Sequence, residues 1–201
     1  MKIANKTVNV RYIAVTATLG ALSFVLQLFE FPLPFIIPAF VQFDFSDLPA
    51  LIAAFGMGPI SGISVALIKN VLHYLLGMSS TFGVGEIANF LLTSVFVGTA
   101  GLIYRLHKNR AGALVGSLSG AVAMSVISVP INYFITYPIY YEFMPEEKIL
   151  ALYQEIFPFV SDIYTCLWFF NAPFNLLKCL VVSLITFFTY KRISPLIKGK
   201  K

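Results

Sequence analysis

Polar groups stand at intervals inside otherwise apolar runs of this 201-residue chain. Lys69 and Asn70 interrupt residues 60–76. Glu86 and Asn89, three positions apart, stand near the start of residues 84–104, and Asn175 and Lys178, also three apart, in the first half of residues 167–190. A spacing of three puts both side chains on one helical face, so each pair points at something shared. Asn132 follows Pro130, which frees a backbone carbonyl that the amide either satisfies or leaves for a ligand. Amides donate and accept, an ammonium donates, and a carboxylate accepts. That is the chemistry of recognition.

Asp44 and Asp47, in the run FDFSDLP, sit among Phe43 and Phe45 just before a further apolar segment. Asp47 reads equally as a helix N-terminal cap and as a binding group. Aromatic faces beside a few convergent donors and acceptors suit a neutral, hydroxyl-rich, ring-bearing ligand. Lys69 has a plainer reading, as the partner of an intramembrane carboxylate.

Catalytic patterns are absent: the chain has no phosphate-binding P-loop, no GxGxxG, no HExxH and no Ser/His/Asp arrangement. His73 is a lone imidazole and His107 lies between apolar runs, so neither a metal nor a catalytic cofactor is expected. Cys166 and Cys179, 13 positions apart, read as small packing residues.

The elements that carry these residues are set by the solvent. With 58% hydrophobic and 11% charged residues, and a mean hydropathy of +0.84, the chain cannot present an ordinary water-exposed surface. It is expected to be an all-α integral membrane protein, one domain over residues 1–201, with helices at about 12–29, 47–56, 60–76, 84–104, 111–135 and 167–190. Five of these approach the roughly 20 apolar residues of a spanning helix. The piece around residues 48–55 is too short to cross alone and is closed by Gly56, Gly58 and Pro59. The stretch after the basic N-terminus lacks a small-residue cleavage site, so it is expected to be the first membrane helix rather than a removable signal.

Two connections are long. In residues 29–47, Pro32, Pro34 and Pro38 forbid a regular helix, yet the segment is strongly apolar and must lie against protein or at the interface. In PEEKILALYQEIF, Pro145 suits a first helical turn, and Ile149, Leu152, Tyr153 and Ile156 share a face, which predicts a short amphipathic helix on the membrane.

Charge orients the bundle. Lys2, Lys6 and Arg11, then Arg105, Lys108 and Arg110, then Lys191, Arg192, Lys198, Lys200 and Lys201 make eleven of the fourteen Lys and Arg, and an even number of passes puts all of them on one side. The positive-inside rule makes that side cytoplasmic and both termini internal. The pI of 9.2 therefore reflects topology and implies no nucleic-acid partner.

The stretch VQFDFSDLPALIAAFGMGPISGISVALIKNVLHYLLG and the following GVGEIANFLLTSVFVGTAGLIYR resemble the riboflavin-specific S-components of energy-coupling factor (ECF) vitamin transporters, with FDFSDLPAL and GEIANF the most specific parts. The likeness runs from Ala17 to Arg192. It implies a six-helix substrate-binding subunit in the bacterial cell membrane that captures riboflavin from outside and works with a transmembrane coupling protein and two cytoplasmic ATPases. It further implies that Asn132, Asn175 and Lys178 meet the edge of the flavin ring. The proline-rich loop would cover the ring, and Glu86 and Asn89 would approach polar groups of the ligand. Ala17 and Ala21 match a small-residue pattern that contacts the coupling protein through close helix approach. Flavin nucleotides remain further candidate ligands, since a phosphate end would project through the outer mouth. The alternatives are a stand-alone secondary transporter of a small aromatic metabolite, in which Lys69, Glu86 or Lys178 carries a coupling proton or binds an anion, and, less well supported, a membrane enzyme. The chain shows no inverted repeat with matched broken helices.

Overall fold

The computed structural model describes residues 10–79 and 81–198, with side chains through Tyr190. Lys2, Lys6, Lys200 and Lys201 of the basic clusters lie outside the described residues. Helix α1 (Val10–Gln27) ends before the proline-rich segment, which instead folds back on itself. Strand β1 (Phe31–Pro32) pairs antiparallel with β2 (Gln42–Phe43), Phe31 opposite Phe43 and Pro32 opposite Gln42. The loop lies against protein, as its apolar character requires: Ile37 is fully buried, and Phe40 stands edge-on to Tyr140 and Tyr153.

Helix α2 (Asp47–Met57) has only 11 residues. That length gives about 16 Å of rise, roughly half a membrane core. Its first residue meets the middles of the neighbouring helices, bonding Lys69 and Thr93. Its far end lies beside Tyr104 and Tyr190, with the Tyr190 hydroxyl donating to the Phe55 carbonyl at 3.2 Å. The short helix thus fills one half of the bundle and the β-hairpin loop fills the other. Gly58 alone separates α2 from α3 (Pro59–Leu75), and its φ is 108°. Glycine adopts that conformation without strain, and Pro59 starts the next helix at a position where no N–H is needed.

Helices α4 (Val84–Leu106) and α5 (Arg110–Tyr141) pack closely because α5 carries glycine every fourth residue, at positions 112, 116 and 120. Small residues at that spacing let two backbones approach. A Cβ on Gly116 would come within 2.7 Å of the Ala100 carbonyl oxygen, and one on Gly120 within 2.6 Å of that of Phe96. Asn109 caps α5, its side chain accepting from the Gly112 N–H at 2.7 Å. The bond satisfies one of the unpaired N–H groups of the first turn.

The end of α5 and the start of the last helix depart from the expected boundaries. Helix α5 runs regularly over Arg110–Ile131, passes through a π-helical turn at Asn132–Thr136 and resumes as Tyr137–Tyr141, so it continues beyond the expected end at 135. The wider turn accommodates Pro138, which would break a regular helix. After α6 (Glu146–Gln154), helix α7 begins at Ile163–Cys166 rather than at 167, takes a second π-helical turn at Leu167–Asn171 and continues as Ala172–Lys198. Asp162 caps it by accepting from the Thr165 N–H at 2.8 Å.

All six expected apolar segments are helical. By length and composition four helices are able to cross a membrane: Val10–Gln27, Val84–Leu106, Arg110–Tyr141 and Ile163–Tyr190. The other two are shorter or more polar. Helix α2 has too few residues, and the 17-residue α3 gives up apolar length to the buried Lys69, Asn70 and His73.

Candidate functional site

The groups with binding chemistry gather where the two π-helical turns face the β-hairpin loop. An α-helix advances about 100° per residue, and one extra residue in a turn rotates every side chain beyond it. The turn in α5 brings Asn132, Thr136, Tyr137 and Tyr140 to one cavity of about 160 Å³, and α7 contributes Asn171, Asn175 and Lys178 to the same space. Asp44 and Gln42 of the loop, Glu86 and Asn89 of α4 and the end of α1 complete its wall.

Lys178 anchors the loop from below. Its Nζ donates to Asp44 Oδ2 at 2.9 Å and lies 3.4 Å from Asp47 Oδ2. Asp44 Oδ1 accepts from the Ser46 N–H at 2.6 Å. Asp47 Oδ1 accepts from Lys69 Nζ at 2.6 Å and from the Thr93 hydroxyl at 2.7 Å, and Lys69 also donates to Ser46 Oγ at 2.5 Å. The Ser23 hydroxyl donates to the Ser46 carbonyl, tying α1 to the same turn. Two ammonium and two carboxylate groups thus balance in a buried chain. Isolated, each would be very costly at this depth; paired and hydrogen-bonded, they hold the loop, α2, α3 and α7 in one register. Burial pushes the Asp44 carboxyl up, but Lys178 and Lys69 outweigh it and hold the group below the ordinary range.

A second pair closes the side near α4. His73 Nδ1 lies 2.7 Å from Glu86 Oε1, and the Ser79 hydroxyl donates to Glu86 Oε2 at 2.9 Å while accepting from the Gly83 N–H at 2.9 Å. The α3–α4 turn is thereby stitched to the cavity wall.

A third network ties down α6. The Tyr137 and Tyr153 hydroxyls are 2.5 Å apart; Tyr153 donates to Asn171 Oδ1 at 3.2 Å, and Asn171 Nδ2 donates to the Tyr137 hydroxyl at 3.3 Å. The apolar face expected for α6 is real at Ile149 and Tyr153, which are buried, whereas Leu152 and Ile156 are half-buried. Tyr153 therefore carries α6 onto the bundle.

Of the residues singled out by sequence, Asn132, Asn175, Lys178, Asp44, Glu86 and Asn89 line this cavity. Phe43 and Asp47 do not. Phe43 is buried against Phe31, Phe45 and Phe174 and stiffens the loop. Asp47 is the acidic first residue of α2, as the helix-start reading expects, but its Oδ1 bonds Lys69 and Thr93 rather than a backbone N–H. Lys69 has the intramembrane carboxylate expected of it. Ala17 and Ala21 are exposed on α1, while Gly20, on the adjoining buried face, packs on Ile68. Cys166 and Cys179 are buried and form no disulfide, in keeping with packing roles.

Several lining residues lie outside that set. Asn171 is signalled in the sequence by its spacing, four before Asn175 and seven before Lys178, on one helical face. Gln27 and Glu30 are hidden at the end of a span, where polar residues are ordinary. Glu30 is half-buried, and its carboxyl is raised above the ordinary range, first by burial and further by Asp44 and Glu86, with His73 and Lys178 opposing.

The family model described as ECF transporter, substrate-specific component, matches residues 11–190. Riboflavin transporter RibU of Staphylococcus aureus (strain TCH60) is 34% identical over 194 residues, covering 96% of this chain and 95% of the relative. Riboflavin transporter FmnP of Bacillus subtilis (strain 168) is 30% identical over 196 residues, covering 96% and 97%. A solved structure of the S component of a bacterial ECF transporter superposes with a TM-score of 0.72 at 31% identity, covering 93% of this chain and 97% of the other.

Proposed function

The chain belongs to the substrate-specific component family of ECF transporters, and from that premise we propose that it is the riboflavin-binding membrane subunit of an ECF importer. It acts as a single substrate-binding domain with both termini in the cytoplasm, and it performs no covalent chemistry. The observation that carries the reading is that Asn132, Asn175 and Lys178, from two different helices, line the same cavity beneath an aromatic loop. Amides supply donors and acceptors along the imide edge of a flavin, and an ammonium donates to a carbonyl. The names of the two relatives point to the same ligand.

The geometry also bears on how the ligand enters. The cavity has a volume of about 160 Å³. Ligand sites usually begin at roughly 300 Å³, so the β-hairpin loop must lift to admit a three-ring ligand. The loop carries Asp44, and its release trades the Lys178 bond for ligand contacts. Binding then favours the closed arrangement by population shift. A transmembrane coupling protein and two cytoplasmic ATPases supply the energy, the former docking on the α1 face that exposes Ala17 and Ala21.

Titration of the purified chain with riboflavin, read by quenching of flavin fluorescence, tests the assignment. Tight saturable quenching is expected. A folded preparation that leaves the fluorescence unchanged removes the assignment.

A further inference from the structure

We infer that the turn between α4 and α5, with Arg105, Lys108 and Arg110, docks the headgroup of an anionic phospholipid, whose acyl chains lie along exposed leucines of the two helices. Only the leaflet, the cytoplasmic one, rests on the orientation proposed above. Residues 107–109 join the two helices, and their backbone has no slack. The His107 N–H donates to the Ile103 carbonyl at 3.1 Å, the Asn109 N–H to the His107 carbonyl at 2.8 Å, and the Ala113 N–H to the Asn109 carbonyl at 3.0 Å, while Asn109 Oδ1 takes the Gly112 N–H. Gly112 is pressed against the turn, where a Cβ would collide with the His107 carbonyl oxygen. The main chain is thus satisfied internally and placed by packing. The side chains are not so engaged. Arg105, Leu106, His107, Lys108 and Arg110 are all exposed, and no salt bridge among the described residues takes up the three cations.

Nothing in the sequence nearby neutralises them. The nine Asp and Glu fall within residues 30–47, at 86 and within residues 142–162, and Glu86 stands in the first turn of α4, at the end away from Arg105. The dipoles of α4 and α5 oppose each other at the turn, because one helix ends where the other starts, so the side chains decide the sign of the charge. An anionic leaflet attracts each Lys or Arg close to its surface.

Membrane topology alone asks for less, since an excess of Lys and Arg on one side is enough. Here the cations stand beside apolar side chains. Leu106 is 78% exposed and lies one turn beyond Leu102, also exposed; on α5, Leu114 and Leu118 are exposed one and two turns beyond Arg110. Both helices are long and apolar enough to cross a membrane. Each therefore offers lipid an apolar row that ends in an arginine. A guanidinium donates two parallel hydrogen bonds to a phosphate group, and acyl chains continue from it along the leucines. An acidic protein surface or a free phosphate matches the charge and leaves the leucines without a role.

Native mass spectrometry of the full chain in detergent, with phosphatidylglycerol or phosphatidylcholine of identical acyl chains added, reads the site. The unaltered protein is expected to retain phosphatidylglycerol at a lipid concentration about tenfold lower than phosphatidylcholine. Arg105→Gln, Lys108→Gln and Arg110→Gln together should abolish that preference. Removing as many charges from the C-terminal run, by Lys191→Gln, Arg192→Gln and Lys198→Gln, should leave it within about twofold. Leu106→Ser should weaken retention of both lipids about threefold, and glycerol phosphate, which offers the anion without chains, should not compete. Equal retention of the two lipids, equal loss in the two triple variants, or competition by glycerol phosphate overturns the inference. So does a first triple variant that keeps the lipid preference but no longer co-purifies with its transporter partners, an outcome that gives the turn to a protein. Riboflavin quenching in the same samples reports folding and is expected to be unchanged by every substitution. An unaltered protein that prefers phosphatidylglycerol but fails to quench riboflavin removes the flavin reading alone.

Discussion

Lys178 and Asp44, 134 positions apart in the chain, meet at 2.9 Å and join the last helix to the first loop. The bond makes one lysine both a structural tether and a cavity-lining donor. Removing the ammonium leaves two carboxylates buried, Asp44 and Asp47, of which only Asp47 keeps a directly bonded cation, Lys69.

Lys178→Met is therefore expected to destabilise the fold by about 3–5 kcal/mol and to abolish riboflavin binding. Adding Asp44→Asn removes the stranded charge, so the double variant should be less destabilised than the sum of the singles. Thermal unfolding of the four proteins in one detergent measures the coupling. Additive losses would mean that the two groups do not support each other.

Acid should release the same tether. The folded Asp44 carboxyl titrates below its unfolded value, because Lys178 and Lys69 outweigh the effect of burial. A depressed carboxylate contributes stability that is present above the unfolded value, near about pH 4, and is lost as pH falls through the folded value. The melting temperature should hold from about pH 7 to about pH 5 and drop steeply below about pH 4. Asp44→Asn should flatten that drop. An equally steep fall in the variant would assign the acid transition to other groups.

How much is readable in the sequence depends on how far each signal reaches along the chain. Glu86 with Asn89 and Asn175 with Lys178 declare themselves as costly groups at helical spacing in apolar runs, and Pro32, Pro34 and Pro38 declare a loop that has to be covered. Those are local facts. Which carboxylate Lys69 or Lys178 meets depends on helices brought together from opposite ends of the chain, so Asp47 reads locally as a cap or ligand group although it serves Lys69. The only local mark of the π-helical turns is a proline two residues past each, Pro138 and Pro173, which by itself reads as a kink or a helix end, and the expected ends of α5 and α7 miss their positions with them. Tyr153 reads in the sequence only as part of an apolar helix face, and Tyr137 is not singled out. Their paired hydroxyls emerge only when α6 folds onto the bundle.

The α3–α4 turn provides a test of local order. Ser79 accepts from the Gly83 N–H and donates to Glu86, which in turn holds His73. Glu86→Ala should cost about 1–3 kcal/mol by stranding both partners. It should also speed amide exchange at Gly83 and Gly85, which bond to Ser79 and Thr81, while exchange in the middle of α4 stays slow. Uniform acceleration along α4 would show that Glu86 supports the helix as a whole.

Glycine spacing in α5 makes a prediction about assembly of the bundle itself. Because a Cβ on Gly116 would meet the Ala100 carbonyl oxygen at 2.7 Å, even alanine forces the helices apart. Gly116→Ala should destabilise by about 1–3 kcal/mol, and Gly116→Val by more, with the ligand site affected only through stability. Alanine at Gly98, where the nearest side-chain atom would be 3.7 Å away, should be tolerated. Melting temperatures that rank Gly98→Ala with Gly116→Ala would refute the close-approach account.

On the proposed reading, helix α1 separates capture from transport. Its buried face packs Gly20 on Ile68, and the adjoining face leaves Ala17 and Ala21 exposed one turn apart. A second membrane protein's helix can approach such a face closely. Ala17→Leu and Ala21→Leu should therefore leave riboflavin affinity of the purified chain within about twofold, because exposed positions away from the cavity tolerate substitution. The same substitutions should lower riboflavin uptake by cells at least about tenfold and weaken co-purification with the coupling protein, since a helix interface built on small residues tolerates no large ones. If the leucine variants impair binding and spare co-purification, the exposed face of α1 serves the ligand site, and the docking surface must lie on another helix.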